Sequence, residues 1–304
     1  MRPSGELTTI FAICLALGGQ LRLSAQDKPA FTFAAVADIQ YADKDPAEKR
    51  QYRESMPRLE RCIADLNSRD LAFVIQLGDL IDEGPANLDR ILPVYQKGKA
   101  PLRHVIGNHD AASVNRRLLL SSLGLANGYY EFAYPGWRFM VLDSMDLSVR
   151  GGWPKSSDHY KEALKLFESL QAAKAPNAVD WNGGIGERQM RWLASALDRA
   201  GQKKERVVVF CHQPVWQTAS TPAHLMWNHA QVLQQLDASK AVVAYICGHD
   251  HSGGYGVRRG VHHVTLPGMV EAPETAYAII EVYADRLQVN GVGSVTSRTL
   301  KFAR

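Results

Sequence analysis

Apolar positions along the chain fall into two periods. Short β-branched runs read as strands at residues 31–38 (FTFAAVAD), 71–79 (LAFVIQLGD), 102–106, 207–211 (VVVFC) and 241–247 (AVVAYIC). Helical periods separate them: an amphipathic stretch over 47–68, then 86–97, the polar 155–178, 187–200 and 221–236. Residues 128–142 predict a hairpin, YYEFAY and WRFMVLD about a Pro-Gly turn, and the last stretch (VHHVTL, AYAIIEVYA, RLQVNGV) is strand-rich. Alternation of this kind reads as βαβ units. Strands cluster in both halves of the chain, so one α/β domain of two packed sheets with flanking helices fits the order.

Residues 8–19 (TTIFAICLALGG) break the pattern: apolar, too short to span a bilayer, preceded by Arg2 and followed by Leu-Ser-Ala before Gln26. That is the outline of a secretory signal peptide. The expected division is a leader over 1–25 and one domain over 26–304, in a secreted or periplasmic protein with no membrane attachment after cleavage. The 304 residues are 46% hydrophobic and 22% charged, enough apolar material for a sizeable core. A formal charge of +4 is too small to argue for nucleic acid; it suits a small phosphate-bearing substrate without demanding one. Of four cysteines, Cys62, Cys211 and Cys247 lie beyond the leader, an odd number without CxxC spacing. They form neither a disulfide framework nor a zinc ribbon; whether Cys211 and Cys247 pair stays open.

Five polar motifs each follow an apolar strand: Asp38-Ile39-Gln40, Gly78-Asp79 with Asp82, Gly107-Asn108-His109-Asp110, His212, and Gly248-His249-Asp250-His251. Loops at the carboxyl ends of strands build the sites of layered α/β folds. Singly, each motif is weak, since an Asp or Asn after a strand is more often a turn or cap. Jointly they supply carboxylates, an amide and imidazoles, the mixed oxygen and nitrogen set that suits manganese, iron or zinc. One Asp can bridge two ions. Two ions roughly 3.5–4 Å apart clamp a phosphate and acidify a water into a hydroxide nucleophile. Glycines before Asp79, Asn108 and His249 are expected to turn the backbone sharply. Asn182, Gly183 and Gly184 form a Gly-rich loop whose amides suit a phosphate or nucleoside, with a plain connector as the equal alternative. Tyr41 and Tyr255 flank the motifs and suit base stacking or packing. His262 and His263 alternate in a strand, so at most one faces the site. Asp143 and Asp146 read as braces of the central loop.

The same motifs, D-x-[HQ], GD, GNH[DE], H and GHxH, resemble the calcineurin-like metallophosphoesterases. The resemblance implies a four-layer α/β/β/α sandwich and a dimetal centre. By motif, Asp38, Gln40, Asp79 and His251 would hold one ion, and Asp79, Asn108, His212 and His249 the other. His109 would contact the phosphate and assist the leaving group, and Asp82 would orient His109. Gln40 stands where most of the family has His. A Gln oxygen is a harder, weaker ligand, so that ion is expected to be labile and to tilt toward Mn²⁺ or Mg²⁺. No Tyr follows Asp79, which argues against a ferric purple enzyme. A narrower resemblance, carried by DIQYADKD, FMVLDSMDLSV, WNGGIGERQMRWL, MWNHAQVL, GHDHSGGYG and PGMVEAPETAYAIIEVYADRL, points to the manganese-dependent ADP-ribose/CDP-alcohol diphosphatases. It implies two divalent ions, Mn²⁺ above Mg²⁺, Fe²⁺ or Zn²⁺, and hydrolysis of a nucleoside diphosphate bond; the oligomeric state stays open, with a monomer expected. The alternative is a phosphodiesterase or phosphomonoesterase of the same fold.

Overall fold

In the computed structural model, residues 28–303 are described; the expected leader lies outside them. Two six-stranded mixed sheets face each other. The first runs β12-β11-β10-β1-β2-β3. Its strands are β1 (Phe31–Val36), β2 (Val74–Gln76), β3 (Leu102–His104), β10 (Ala276–Val282), β11 (Arg286–Gly293) and β12 (Arg298–Lys301). The second runs β4-β5-β6-β7-β9-β8, from β4 (Tyr130–Tyr134), β5 (Trp137–Val141), β6 (Arg206–Phe210), β7 (Val242–Cys247), β8 (Gly254–Arg258) and β9 (Val261–Thr265). β1, β2 and β3 are parallel to one another, as are β5, β6, β7 and β9; antiparallel strands complete each sheet. The parallel strands are covered on both faces, which is why they read as unbroken apolar runs.

Alternation sorts their side chains. Val208 and Phe210 of β6 point between the sheets, where Phe139 and Phe210 stack at 5.9 Å and Phe33 stacks on Phe73 at 4.7 Å. Val207 and Val209 point outward, into a second cluster with Leu193 and Leu197 of α6 (Glu187–Gln202) and Val232, Leu233 and Leu236 of α7 (His229–Ala238). On the other flank α1 (Ser55–Leu66) buries Leu59, Cys62, Ile63 and Leu66, the i, i+3, i+4, i+7 face of an amphipathic helix. α2 (Pro85–Tyr95) packs beside it, burying Leu88, Ile91, Leu92 and Tyr95. Truncating fully buried Leu59 to Ala should cost about 2–5 kcal/mol. Helix, sheet, sheet, helix is the four-layer order expected.

Several local expectations need correction. The stretch 221–236 is not one helix: short 3₁₀ turns cover Gln217–Ala219 and Pro222–His224, and α7 starts only at His229. The chain there follows the second sheet, with Met226 N–H donating to Pro214 O and Trp227 N–H to Gly183 O. The helix expected from 155 is α5 (Asp158–Ala172), opened by a Ser157 cap on Tyr160 N–H. Strands β8 and β12 carry mixed polar sequences and were not expected; they lie at sheet edges, where one free flank tolerates polarity. Two short helices, α3 (Asn108–Ser113) and α4 (Arg116–Ser122), fill the link from β3 to β4. All three described cysteines are buried free thiols, so Cys211 and Cys247 do not pair. Among the described residues, no helix is long and apolar enough to cross a membrane.

Candidate metal centre

The fold brings the five motifs together. Asp38 lies two residues past β1, Asp79 three past β2, Asn108 four past β3, and His212 and His249 two past β6 and β7. Asp38, Gln40, Asp79, Asn108, His212 and His249 are all buried. Single ligand atoms of Asp79, His212 and His249 lie within 4.8 Å of one another.

The backbone pays a conformational cost to present them. Asp38 (φ 51°), Gln40 (φ 44°), Asp79 (φ 56°) and His249 (φ 73°) all adopt the left-handed region, which non-glycine residues rarely occupy. The turn is therefore made at the ligand itself. Gly78 also has φ 99°, and a Cβ there would strike His212 Nδ1 and Gly107 Cα. Gly107 is different: its φ is −99°, and it is needed because a Cβ would overlap the Asp79 carboxylate. The expectation that each glycine supplies the turn holds at Gly78; at Gly107, and at Gly248, where a Cβ would meet the Asp38 carboxylate, absence of a side chain is what matters.

Two histidines have their tautomers fixed by acceptors. His212 Nδ1–H donates to Leu77 O at 2.9 Å, leaving the Nε2 lone pair inward. Asn182 spends its NH₂ on the carbonyls of Asn177 (3.1 Å) and Ala223 (2.7 Å), so its oxygen accepts from His249 Nε2–H at 2.8 Å. The His249 Nδ1 lone pair then faces His212 Nε2 at 3.1 Å, and Asp79 Oδ2 lies 3.3 Å from that same nitrogen. Two lone pairs and a carboxylate oxygen converging in a buried space require a positive charge between them. Without a metal, a proton serves. Burial opposes charging His212, yet Asp79 and then Asp38 overcome it and hold the imidazole up at about 9. Burial and then the neighbouring His212 push His249 well below the usual range.

The other side of Asp79 is built similarly. His251 Nδ1–H donates to Glu271 Oε1 at 2.7 Å, aiming Nε2 at Asp38 Oδ1, 3.5 Å away. The Asp38 and Glu271 carboxylates raise His251 to about 10 against its burial. The Gln40 amide nitrogen lies 3.1 Å from both Asp79 Oδ2 and His251 Nε2, while its carbonyl oxygen is buried without a donor. A cation on the nitrogen's side would reverse the amide and give that oxygen its partner. Donor set, tautomers and orphaned oxygen all fit a pair of divalent ions.

Asp79 is positioned from behind. Asp110 Oδ2 accepts from Asp79 N–H (2.9 Å) and Gly107 N–H (3.0 Å), and its Oδ1 from Leu80 (2.8 Å) and Ile81 (3.1 Å). His109 N–H donates to Asp79 Oδ1 at 2.8 Å. The His109 ring pairs through Nδ1 with Asp82 Oδ1, and Lys44 pairs with the other Asp82 oxygen. Burial opposes a charge on His109, but Asp79 and Asp82 raise it above its ordinary value. A cavity of about 290 Å³ opens over these groups, lined also by Arg50, Arg150, Trp181 and His224.

The fold brings the nine residues expected at the site into one neighbourhood. Other expectations resolve to structure. Asp143 pairs with Arg116, and Asp146 accepts from Gly186 N–H at 2.9 Å, both bracing the central loop. His262 bonds to Tyr255 Oη and Lys301 O, and His263 packs near Tyr245, so neither lines the cavity. Tyr41 is buried beside Ile81, and Tyr255 serves His262. The 182–184 loop does not offer its amides: Asn182 N–H goes to Val179 O, Gly183 N–H to Gln213 Oε1 and Gly184 N–H to Leu147 O. The supports Asp110, Asn182 and Glu271 escaped sequence reasoning as such. Asp110 carried a signal inside the third motif, and Asn182 was singled out only as part of a Gly-rich loop, not as the partner of His249.

The calcineurin-like phosphoesterase family model matches residues 31–253. The chain belongs to that family: it is a hydrolytic enzyme of the dimetal phosphoesterase class. It is 32% identical over 323 residues to the manganese-dependent ADP-ribose/CDP-alcohol diphosphatase of Mus musculus, covering 91% of this chain and 95% of that one. The enzyme of the same name from Arabidopsis thaliana is 33% identical, covering 90% and 98%. Among solved structures, a dimetal phosphatase from Danio rerio superposes with a TM-score of 0.84 at 33% identity, covering 91% of this chain and all of that one (100%).

Proposed function

We propose that the chain hydrolyses the diphosphate bond of ADP-ribose, CDP-alcohols or related nucleoside diphosphate compounds, with manganese as the working ion. The observation that carries the reading is the buried convergence of Asp79, His212 and His249 beside Asp38, Gln40 and His251. The names of relatives matched along nearly their whole length supply the substrate class.

Asp38, Gln40, Asp79 and His251 would hold one ion, and Asp79, Asn108, His212 and His249 the other. When bound, the pair neutralises phosphate charge and acidifies water. The protein's own part is positioning. Leu77 O, Asn182 and Glu271 fix which nitrogen each imidazole presents. His109 is steered by Asp82 through Nδ1, which leaves Nε2 to face the cavity with a proton. As the oxygen of a water that has lost one proton to solvent bonds to phosphorus and the bridging P–O bond breaks, the His109 proton passes to the departing phosphate oxygen. Arg50 and Arg150 add positive charge at the rim. Residues 1–25 would act as an export leader, so the enzyme would meet nucleotides outside the cytoplasm; N-terminal sequencing of protein from the producing cells checks this.

The test is product identification. With Mn²⁺, ADP-ribose and CDP-choline should each yield two phosphomonoesters, while 2′,3′-cAMP and 4-nitrophenyl phosphate should turn over at least tenfold more slowly. Preference for either of the latter would replace this reading with a phosphodiesterase or phosphomonoesterase.

A further inference from the structure

Three successive residues do three different things at the cavity. Asp180 pairs with Arg150, its Oδ2 accepting from Nε at 3.1 Å. Asn182 orients His249. Trp181, between them, belongs to no apolar cluster of the core. Its ring neighbours are two imidazoles, His249 at 5.2 Å and His224 at 4.9 Å. Trp153 and Trp227 give their indole N–H groups to backbone carbonyls, whereas that of Trp181 has no partner among the described residues. The residue is half-buried and lines the cavity. A large aromatic face with a free donor, outside the core and next to the centre, is not explained by packing.

The setting is rigid. Asn182 is tied at its amide to Asn177 O and Ala223 O, and Ser148 Oγ–H donates to Asn182 O at 3.0 Å. His224 is tethered through Thr221 Oγ1, which lies 2.6 Å from its Nδ1 and 3.2 Å from Asp250. The corner between Trp181 and His224 is therefore formed before any ligand arrives. Arg150 differs in being available: it and Asp180 are about half exposed, at 49% and 44%, so their ion pair is weakly held and a phosphate can take the guanidinium at little cost.

We infer that Asp180, Trp181 and Arg150 form the subsite for the part of the substrate that the cations do not hold, with a planar nucleobase stacked on Trp181 and the second phosphate on Arg150. This rests on the diphosphate reading above. It assigns the base to an aromatic platform built into the same segment that supports His249, and not to Tyr41 or Tyr255.

The test is calorimetric titration of the Mn²⁺-loaded full chain with three non-cleavable probes: inorganic phosphate, methylenediphosphonate and α,β-methylene-ADP. Trp181→Ala should weaken α,β-methylene-ADP about tenfold, the range of one lost base–aromatic stack. Methylenediphosphonate and phosphate should stay within about twofold, Trp181→Phe should recover most of the loss, and manganese per chain by elemental analysis should not change. Arg150→Gln should weaken both diphosphonates and spare phosphate. Equal weakening of all three probes, lost manganese, or unchanged α,β-methylene-ADP binding would overturn the inference. Should the wild-type chain bind α,β-methylene-ADP no better than phosphate, the diphosphatase reading itself fails, whatever the variants do.

Discussion

The two halves of the metal centre are built to different standards. On one side of Asp79, His212 and His249 are buried, their tautomers set by a backbone carbonyl and by an amide that is itself immobilised at two points. On the other side stand one imidazole, the Asp38 carboxylate and a glutamine amide. The brace there, Glu271, keeps a quarter of its side chain in solvent (25%) and also lies 3.8 Å from Arg50. Nitrogen-rich, dry and rigid contrasts with oxygen-rich and partly wet. The lesson is that a dinuclear site need not hold its ions equally: the first half should retain a cation where the second exchanges one.

The largest effect should come from removing what the halves share. Asp79→Asn should abolish activity by at least about three decades and leave fewer than two manganese ions per chain by elemental analysis. Full metal content would deny it the shared position. Next is His109→Ala, which should lower kcat by roughly 10²–10⁴-fold with both ions retained. Near-normal turnover would remove His109 from the reaction.

The supports discriminate between the halves. Asn182→Ala should weaken the tighter ion, and Glu271→Gln the looser one, by about 10–100-fold each in competition with a chelator. If both variants lose the same ion, the contrast drawn here is wrong. Acid must be used with care in such titrations. Burial pushes His104 down to about 4, and burial likewise pushes His263 to about 4, so both stay neutral in the fold. A depressed imidazole contributes its full stability above about pH 6.5, and the contribution fades as pH falls toward 4. At pH 5 each should cost about 2 kcal/mol, and the melting temperature of chelator-treated protein should fall accordingly between pH 7 and pH 5. A flat profile would contradict it. The smallest change is Gln40→His, which should strengthen the looser ion by a few-fold and narrow the gap between the two dissociation constants.

Much of this was legible beforehand because the ligands follow strands. Apolar runs ending in Asp38, Asp79, His212 and His249 mark both an element and its terminus, and the order of the motifs carries the fold. The supports were not legible. Asn182 matters because of where its NH₂ is spent, and Glu271 because a 3₁₀ turn at Met269–Glu271 sets it against His251. Those are three-dimensional facts without a spacing rule. The Gly-rich 182–184 loop misled for the same reason: its amides suit a phosphate in isolation, and the fold had already claimed them. At 221–236, apolar periodicity over-reached, since the backbone bonds of Met226 and Trp227 to neighbouring loops outweigh helical propensity.

Asp110 is not among the residues that would hold an ion and does not line the cavity, yet its two oxygens clasp four amides drawn from separate loops. The two loops consequently behave as one mechanical part, and unhooking them would scatter Asp79 and Asn108 together. A population of variants screened for lost activity should thus contain a class with every ligand intact and the whole centre dismantled. Loss of this one carboxylate, remote from all the chemistry, would be enough to put an enzyme in that class.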